Sequence, residues 1–363
     1  MEYCVAWLIL LVLAFVAFSY LVLRGENLDY LDSNITPVAE GDPGEPHRQV
    51  VASLSELTSS GMGLGGGKGG LKRIREYMDS MTDNRDYPSE FRPVDEVSVK
   101  GEWILAPGAD PRRRLLHIHG GAWMMGSPKS HRTITSRLSE LANAAVFSID
   151  YRLLPENKRL DGIVDCQRAY SWILDNGPDG PEELDFLMVS GDSAGGNLTL
   201  MTIAWARDTG LRAADAAVAF SPATDVTLTA PSLRTNIATD PMLGPAFGSL
   251  AKIPTILLWW STWFTSRLKP SDPLASPVRG DLSGLPPVLL QVSEAEMLFD
   301  DSRRYVAKAQ AAGTHAVLQS WPHMVHVWQI FSPDLPQAEE AFIAVGEFLD
   351  SVESASAVEA NAA

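Results

Sequence analysis

Residues 186–196 read Phe186-Leu187-Met188-Val189-Ser190-Gly191-Asp192-Ser193-Ala194-Gly195-Gly196. A short apolar run, Phe186–Ser190, leads into Gly191-Asp192-Ser193-Ala194-Gly195, and a helical pattern from Ala194 to Arg207 follows. This is G-x-S-x-G set between a strand and a helix. Small residues two positions before and after Ser193 allow a strained turn that lifts the hydroxyl off the sheet edge. The helix behind it turns N–H groups and the positive end of its dipole toward the same point. A serine hydroxyl alone is a weak nucleophile, so the reading requires a base and donors for an oxyanion.

Upstream, His117-Ile118-His119-Gly120-Gly121-Ala122-Trp123 follows another strand-like run, Arg114–Ile118. Glycines there let the backbone turn its amides toward a reacting carbonyl. The oxyanion hole is assigned to Gly120, Gly121, Ala122 and Ala194. Gly121, Ala122 and Ala194 supply amides, and Gly120 assists the turn. Trp123 and Asp192, beside the two motifs, are assigned to the substrate pocket. His119 precedes the turn and reads as a loop-fixing hydrogen bonder rather than a base.

Working outward, further strand patterns fall at Ala145–Ile149, Ala216–Phe220, Val288–Val292 and Ala316–Trp321. Helical patterns fall at Ser130–Asn143, Asp161–Asn176, Asp301–Ala312 and Gln337–Val352. Such alternation implies an α/β fold, a mainly parallel sheet with helices on both faces. Residues 226–270 break the rhythm and include Ile256-Leu257-Leu258-Trp259-Trp260-Ser261-Thr262-Trp263-Phe264. An insertion there sits over the carboxyl edge of the sheet, where ligands bind.

With both motifs in hand, the chain resembles the hormone-sensitive lipase family of α/β-hydrolases, in particular its bacterial carboxylesterase-like members. Asp150-Tyr151-Arg152-Leu153-Leu154-Pro155-Glu156, Asp272-Pro273-Leu274-Ala275-Ser276-Pro277, Val292 through Ser302 and Trp321 through Trp328 agree in order over about residues 90–350. The resemblance implies an eight-stranded, mostly parallel sheet with a helical cap, drawn here from about 71–92 and 226–270. It also implies a serine carboxylesterase that needs no cofactor and no metal and acts on a small-molecule ester. A lactone, amide or acetyl-sugar hydrolase with the same triad is left open, as is a catalytically silent small-molecule binder of the same fold.

In this fold the acid follows the serine and the histidine comes last. The family's acid-x-Leu-x-Asp pattern reads Glu296-Met297-Leu298-Phe299-Asp300 and implies Glu296, with Glu294, Asp300 and Asp301 as neighbours. Of His315, His323 and His326, the last fits the family's ending in His326-Val327-Trp328. The implied catalytic set is Ser193, Glu296 and His326. Two departures stand out. Ala122 occupies the third glycine position of the oxyanion motif, and Asn157-Lys158-Arg159-Leu160 lacks the Phe-Pro usual after the glutamate.

From Val5 to Leu23 the only clearly polar side chain is Ser19. As a helix this run spans roughly 28 Å, close to the hydrocarbon thickness of a bilayer. It reads as a single-pass membrane anchor over residues 5–23, with a cleaved signal peptide (Ala17-Phe18-Ser19) and a buried core helix as rivals. Arg24 on the far side and no Lys or Arg before the run place the catalytic domain in the cytoplasm. The expected layout is an anchor over 1–24, a flexible tether over 25–70, a hydrolase domain over 71–352 and a disordered tail over 353–363.

Gly61, Gly63 and Gly66 formally satisfy G-x-G-x-x-G, yet no strand precedes them, so no dinucleotide site is read there. With 29 Lys plus Arg against 45 Asp plus Glu, the chain carries −16. A nucleic-acid partner, which needs clustered cations, is excluded. Seven histidines and two cysteines, with no C-x-x-C and no H-E-x-x-H, give no metal site and no disulfide framework.

Overall fold

Strand-forming residues gather in eight places, and the computed structural model, which describes residues 2–32, 42–59 and 67–362, pairs them into one sheet. The strands are β1 (Glu90–Asp95), β2 (Lys100–Leu105), β3 (Asp110–Ile118), β4 (Ala144–Ile149), β5 (Phe186–Asp192), β6 (Ala216–Phe220), β7 (Val288–Ser293) and β8 (Ala316–Trp321). Their order across the sheet is β1-β2-β4-β3-β5-β6-β7-β8. β2 runs antiparallel to β1 and β4, and every other pair is parallel. β4, β5, β6 and β7 are buried at every residue, as expected for strands covered on both faces. β1 and β2 escaped the sequence reading. Glu-Phe-Arg-Pro-Val-Asp is too polar to signal a strand, and an edge strand tolerates its proline.

The helices are α1 (Glu2–Phe18), α2 (Glu45–Ser59), α3 (Gly67–Ser80), α4 (Arg132–Leu141), α5 (Arg159–Asp175), α6 (Ala194–Asp208), α7 (Ser232–Thr235), α8 (Leu243–Phe247), α9 (Thr255–Ser266), α10 (Phe299–Ala311) and α11 (Pro336–Ala362). On one face Ile134 and Leu138 of α4 pack with Phe342, Val345 and Leu349 of α11. On the other, α5, α6 and α10 contribute Ile163, Tyr170, Leu198, Ile203 and Tyr305. Each such side chain stabilises the fold by about 1.5–3 kcal/mol on burial. The direction in which strands are added reverses at β3, which lies between β4 and β5. Ile118 and Gly191 are register partners across β3 and β5. The two glycine-rich turns therefore leave the same carboxyl edge side by side, at the switch point where this architecture opens a crevice.

Two parts of the expected layout differ from the structure. The expected tether over 25–70 is not an extended linker in its described parts. Leu28 is buried, Arg304 of α10 grips Asp32 (2.6 and 2.7 Å), and Val50 of α2 packs with Met324, Val325 and Trp328. Composition hid this because α2 and the 26–32 segment bury only a few apolar residues each. Residues 33–41 and 60–66, which include the Gly61-x-Gly63-x-x-Gly66 pattern, lie outside the described residues. The expected disordered tail is instead the end of α11, which continues through Ala362, its Ala-rich sequence carrying high helix propensity.

The insertion between β6 and β7 holds α7, α8 and α9. α3 leans over the β3 turn, where Arg75 donates to the carbonyls of Met124 (2.7 Å) and Leu154 (2.8 Å) and pairs with Glu156.

Candidate active site

Ser193 sits between β5 and α6 with φ 52° and ψ −116°, a strained conformation for a side-chain-bearing residue. Its amide donates to the carbonyl of Phe220 (2.8 Å) and its carbonyl accepts from Asn197 (3.1 Å), so both neighbours hold the turn. Gly195 is required by close approach. A Cβ there would lie 1.9 Å from the carbonyl oxygen of Ile118.

His326, in the loop after β8, places Nε2 2.8 Å from Ser193 Oγ and Nδ1 2.8 Å from Glu296 Oε2. Glu296, after β7, is fully buried and His326 is nearly so. Burial lifts the Glu296 carboxyl above its ordinary value, partly opposed by the imidazole. Burial alone would lower His326, but the charge and hydrogen bond of Glu296 outweigh it and leave the imidazole above its ordinary value. The alternatives are occupied elsewhere. His315 lies at the amino end of β8, on the opposite sheet edge. Asp301 accepts the amides of Thr224 (2.8 Å) and Asp225 (2.9 Å), Asp300 accepts that of Ser232 (2.9 Å), and Glu294 takes the hydroxyl of Ser320.

The β3 turn reverses over Gly121, at φ 109°, whose carbonyl accepts from Met124 and Met125 (both 3.0 Å). A Cβ on Gly121 would strike the carbonyl oxygen of Met125 at 2.1 Å. Ala122 follows at φ 53° and Trp123 at φ 59°, so the departure from glycine places an alanine in left-handed backbone. Among the described residues the amides of Gly121, Ala122 and Ala194 meet no protein acceptor. Ala194 opens α6, where a first-turn amide has no partner within the helix.

Two assignments need correction. The amide of Gly120 donates to Asp192 Oδ1 (3.0 Å), so it is not a free oxyanion donor. Asp192 is buried rather than lining a substrate pocket, with Oδ2 3.3 Å from Nε2 of His131. Burial would raise the Asp192 carboxyl, but the charge and hydrogen bond of His131 bring it below the usual range. Burial alone would lower His131, but the charge and hydrogen bond of Asp192 outweigh it and leave the imidazole above its ordinary value.

His131 was missed. Helical periodicity placed it at the start of α4, and only the fold brings it beneath the residue preceding the nucleophile. His117 and His119 complete the buried cluster. Nδ1 of His117 pairs with Ser190 Oγ (2.9 Å), and His119 stacks on Tyr151 with ring centroids 4.4 Å apart. Burial pushes each of these two imidazoles down to about 3, so both are neutral. The Asn157-Lys158-Arg159-Leu160 departure puts a buried guanidinium 4.5 Å from the ring of half-buried Trp123.

Comparison with known proteins adds a second line. Residues 115–330 match the family described by the alpha/beta hydrolase fold. The chain is 37% identical over 261 residues to an acetyl-hydrolase of Streptomyces hygroscopicus, covering 71% of this chain and 82% of that one. It is 32% identical over 264 residues to an esterase of Acinetobacter venetianus, covering 73% and 83%. A crystal structure of the esterase EstE5 soaked with p-nitrophenyl butyrate superposes with a TM-score of 0.73 at 32% identity, over 85% of this chain and 99% of that one. An esterase of the bacterial hormone-sensitive lipase family superposes with a TM-score of 0.71 at 31% identity, over 84% and 98%.

Proposed function

The chain belongs to the α/β-hydrolase family of the bacterial hormone-sensitive-lipase esterases and is a carboxylic ester hydrolase, and from that premise we propose that it works through an acyl-enzyme on Ser193. The observation that carries this reading is the continuous chain Ser193 Oγ–His326–Glu296, with 2.8 Å at each link, beside two turns whose amides at Gly121, Ala122 and Ala194 meet no protein acceptor among the described residues. Ser193 Oγ attacks the ester carbonyl as Nε2 of His326 takes its proton. Glu296 holds the imidazole in the tautomer that leaves Nε2 free and stabilises the imidazolium. The amides of Gly121, Ala122 and Ala194 receive the oxyanion, each worth about 3 kcal/mol of transition-state stabilisation. Collapse expels the alcohol with the proton from His326. Water then attacks the acyl-Ser193, His326 again accepting and returning the proton, and the carboxylic acid leaves.

Short to medium acyl chains are favoured by the relatives: one is named an acetyl-hydrolase, and EstE5 was soaked with a butyrate ester. Half-buried Trp123 is proposed to line the pocket. Ser193→Ala is expected to abolish hydrolysis of p-nitrophenyl butyrate and labelling by a fluorophosphonate while keeping the wild-type circular dichroism. Retained hydrolysis at the wild-type rate would overturn the assignment.

Residues 5–23 are proposed as a retained single-pass anchor. Tyr3–Arg24 form a 22-residue helical stretch of mean hydropathy 2.7 with little of it buried. Its retention is supported by the packing of its final turns against the catalytic domain, where Ser19 and Leu23 are buried. A signal sequence removed after Ser19 would leave the Trp260 indole without the Ser19 hydroxyl it bonds at 2.8 Å. By the positive-inside rule Arg24 favours a cytoplasmic catalytic domain. Intact mass of the membrane-extracted protein checks retention. A mature chain beginning after residue 19 would refute it.

A further inference from the structure

α9 has the sequence Thr-Ile-Leu-Leu-Trp-Trp-Ser-Thr-Trp-Phe-Thr-Ser, with no charged residue. A cap helix of that composition in water should bury most of its apolar side chains. Only Trp259 is buried, its indole N–H bonded to the carbonyl of Thr227 (2.7 Å). Leu257 and Phe264 are 53% and 57% exposed, and Leu250 and Ile253 just before the helix are exposed too.

The partner of this face is indicated by what lies beside it. Phe15 of α1 stacks on Trp260 at 5.1 Å, Phe18 meets Trp260 and Trp263 at 5.5 Å, and Tyr20 meets Trp259 edge-on at 5.4 Å. At about 1.5 Å per residue, Phe18 and Phe15 lie roughly 9 and 13 Å inward from Arg24. Phe18 is thus at about the depth where Trp-rich interfacial helices rest, and Phe15 lies deeper, so the α9 indoles reach from the interface into the hydrocarbon. The exposed apolar residues of α9 are continuous with those of α1, from Val5 to Phe18.

Charge agrees. Pro241 to Ser271 contains no Asp or Glu and the three basic residues Lys252, Arg267 and Lys269, in a chain of −16. We propose that α9, with Leu250 and Ile253, is a second membrane contact, a helix lying in the interface of an anionic bilayer beside the span. The proposal rests on the retained anchor.

The other end of the cap touches the acid-bearing loop. Asn236 Nδ2 donates to the carbonyls of Glu294 (2.9 Å) and Glu296 (3.0 Å), and Ser232 Oγ donates to that of Met297 (2.8 Å).

The test uses the full chain in vesicles of phosphatidylcholine and phosphatidylglycerol, with Cys4→Ser removing the exposed thiol and Cys166 buried. Nitroxide labels at Leu257→Cys and, as a solvent-facing reference, Leu160→Cys are compared by relaxation with oxygen and a water-soluble nickel chelate. The Leu257 label is expected to show a several-fold higher oxygen-to-nickel ratio. Equal ratios in protein that floats with the vesicles overturn the interfacial helix while leaving the anchor intact. Failure to float overturns the anchor and the helix contact with it.

A buried cation elsewhere lacks a counter-ion. Arg159, 7% exposed, makes one hydrogen bond, from Nη2 to Asn197 Oδ1 (2.7 Å), and has no carboxylate within 4 Å among the described residues. The other buried arginines are saturated. Arg114 reaches five backbone carbonyls, Arg279 is bidentate on Asp225, and Arg304 is bidentate on Asp32. Burial holds the Arg159 guanidinium down to about 10, so it stays charged at neutral pH.

It lies between Trp123, next to the oxyanion turn, and Asn197, one turn along α6 from Ser193. We infer that Arg159 receives a carboxylate carried by the substrate. The test compares kcat and KM for two ester pairs that differ only by a carboxylate, on the acyl half in one and the alcohol half in the other. Wild type is expected to favour one acidic ester through KM. Arg159→Gln should lower that preference about tenfold, the scale of one charge-assisted contact, and Arg159→Lys should restore part of it. No preference in wild type for either pair, or a preference that survives Arg159→Gln, overturns the inference.

Discussion

Replacing Asp192 with Asn removes one buried negative charge while keeping the shape that accepts the Gly120 amide. What is lost is the partner of His131, 3.3 Å away and as deeply buried. Removing one member of a buried ion pair costs 3–5 kcal/mol. Because Asn retains the Gly120 bond, a loss near the lower end, about 3 kcal/mol, is expected.

The pH dependence carries the sign. Asp192 titrates below its ordinary value in the fold, so its contribution is present above about pH 4 and is lost as pH falls through the depressed value. His131 titrates above 6.5, so its share is complete below that value and fades as pH rises through the folded one. The gap between wild type and Asp192→Asn should therefore be widest between about pH 4 and 6.5 and narrower at pH 9. Urea midpoints across that range measure it. In the same variant the β3 turn loses its charged anchor, so kcat should fall by about 10- to 100-fold with KM little changed, the cost of a small misplacement of donors. Unchanged midpoints, or a gap equal at pH 5.5 and 9, would refute the reasoning.

The acid limb of the kcat/KM profile should lie above 6.5, because His326 must be neutral to act and Glu296 raises it. Glu296→Gln should move that limb downward and lower kcat, and a limb that stays put would contradict their coupling. Ala122→Gly relieves a left-handed alanine and should raise the thermal midpoint, by about 1 kcal/mol in stability. A loss of stability would show that the turn is not strained there. His117 and His119 are held near 3 in the fold, so acidification from pH 7 to 5 favours the unfolded chain, which binds those protons, by about 2 kcal/mol per histidine. A flat stability profile over that window would contradict their burial as neutral groups.

The central strands and both glycine turns were legible because their signals are local. Four all-buried strands are apolar at most positions, and Gly121 and Gly195 stand where a side chain would strike a backbone carbonyl. β1 was not legible, since an edge strand with one half-wet face carries charges and a proline. The packed segments within 26–59 were not legible either. Their burial depends on surfaces formed by Met324, Trp328 and Arg304, far away in sequence.

The sequence by itself determined the α/β alternation and the strand–turn–helix around Ser193, which follow from periodicity and from turns only small residues can make, while Glu296 and His326 as its candidate partners were implied by the family resemblance. The tertiary structure decided which amides are free. Gly120 is consumed by Asp192, and Asp192 answers to His131 rather than to a substrate. It also joined α1 to α9, two apolar stretches more than two hundred residues apart. Such pairings depend on distance in space, and a chain fixes that only when its sheet order brings remote segments to one edge.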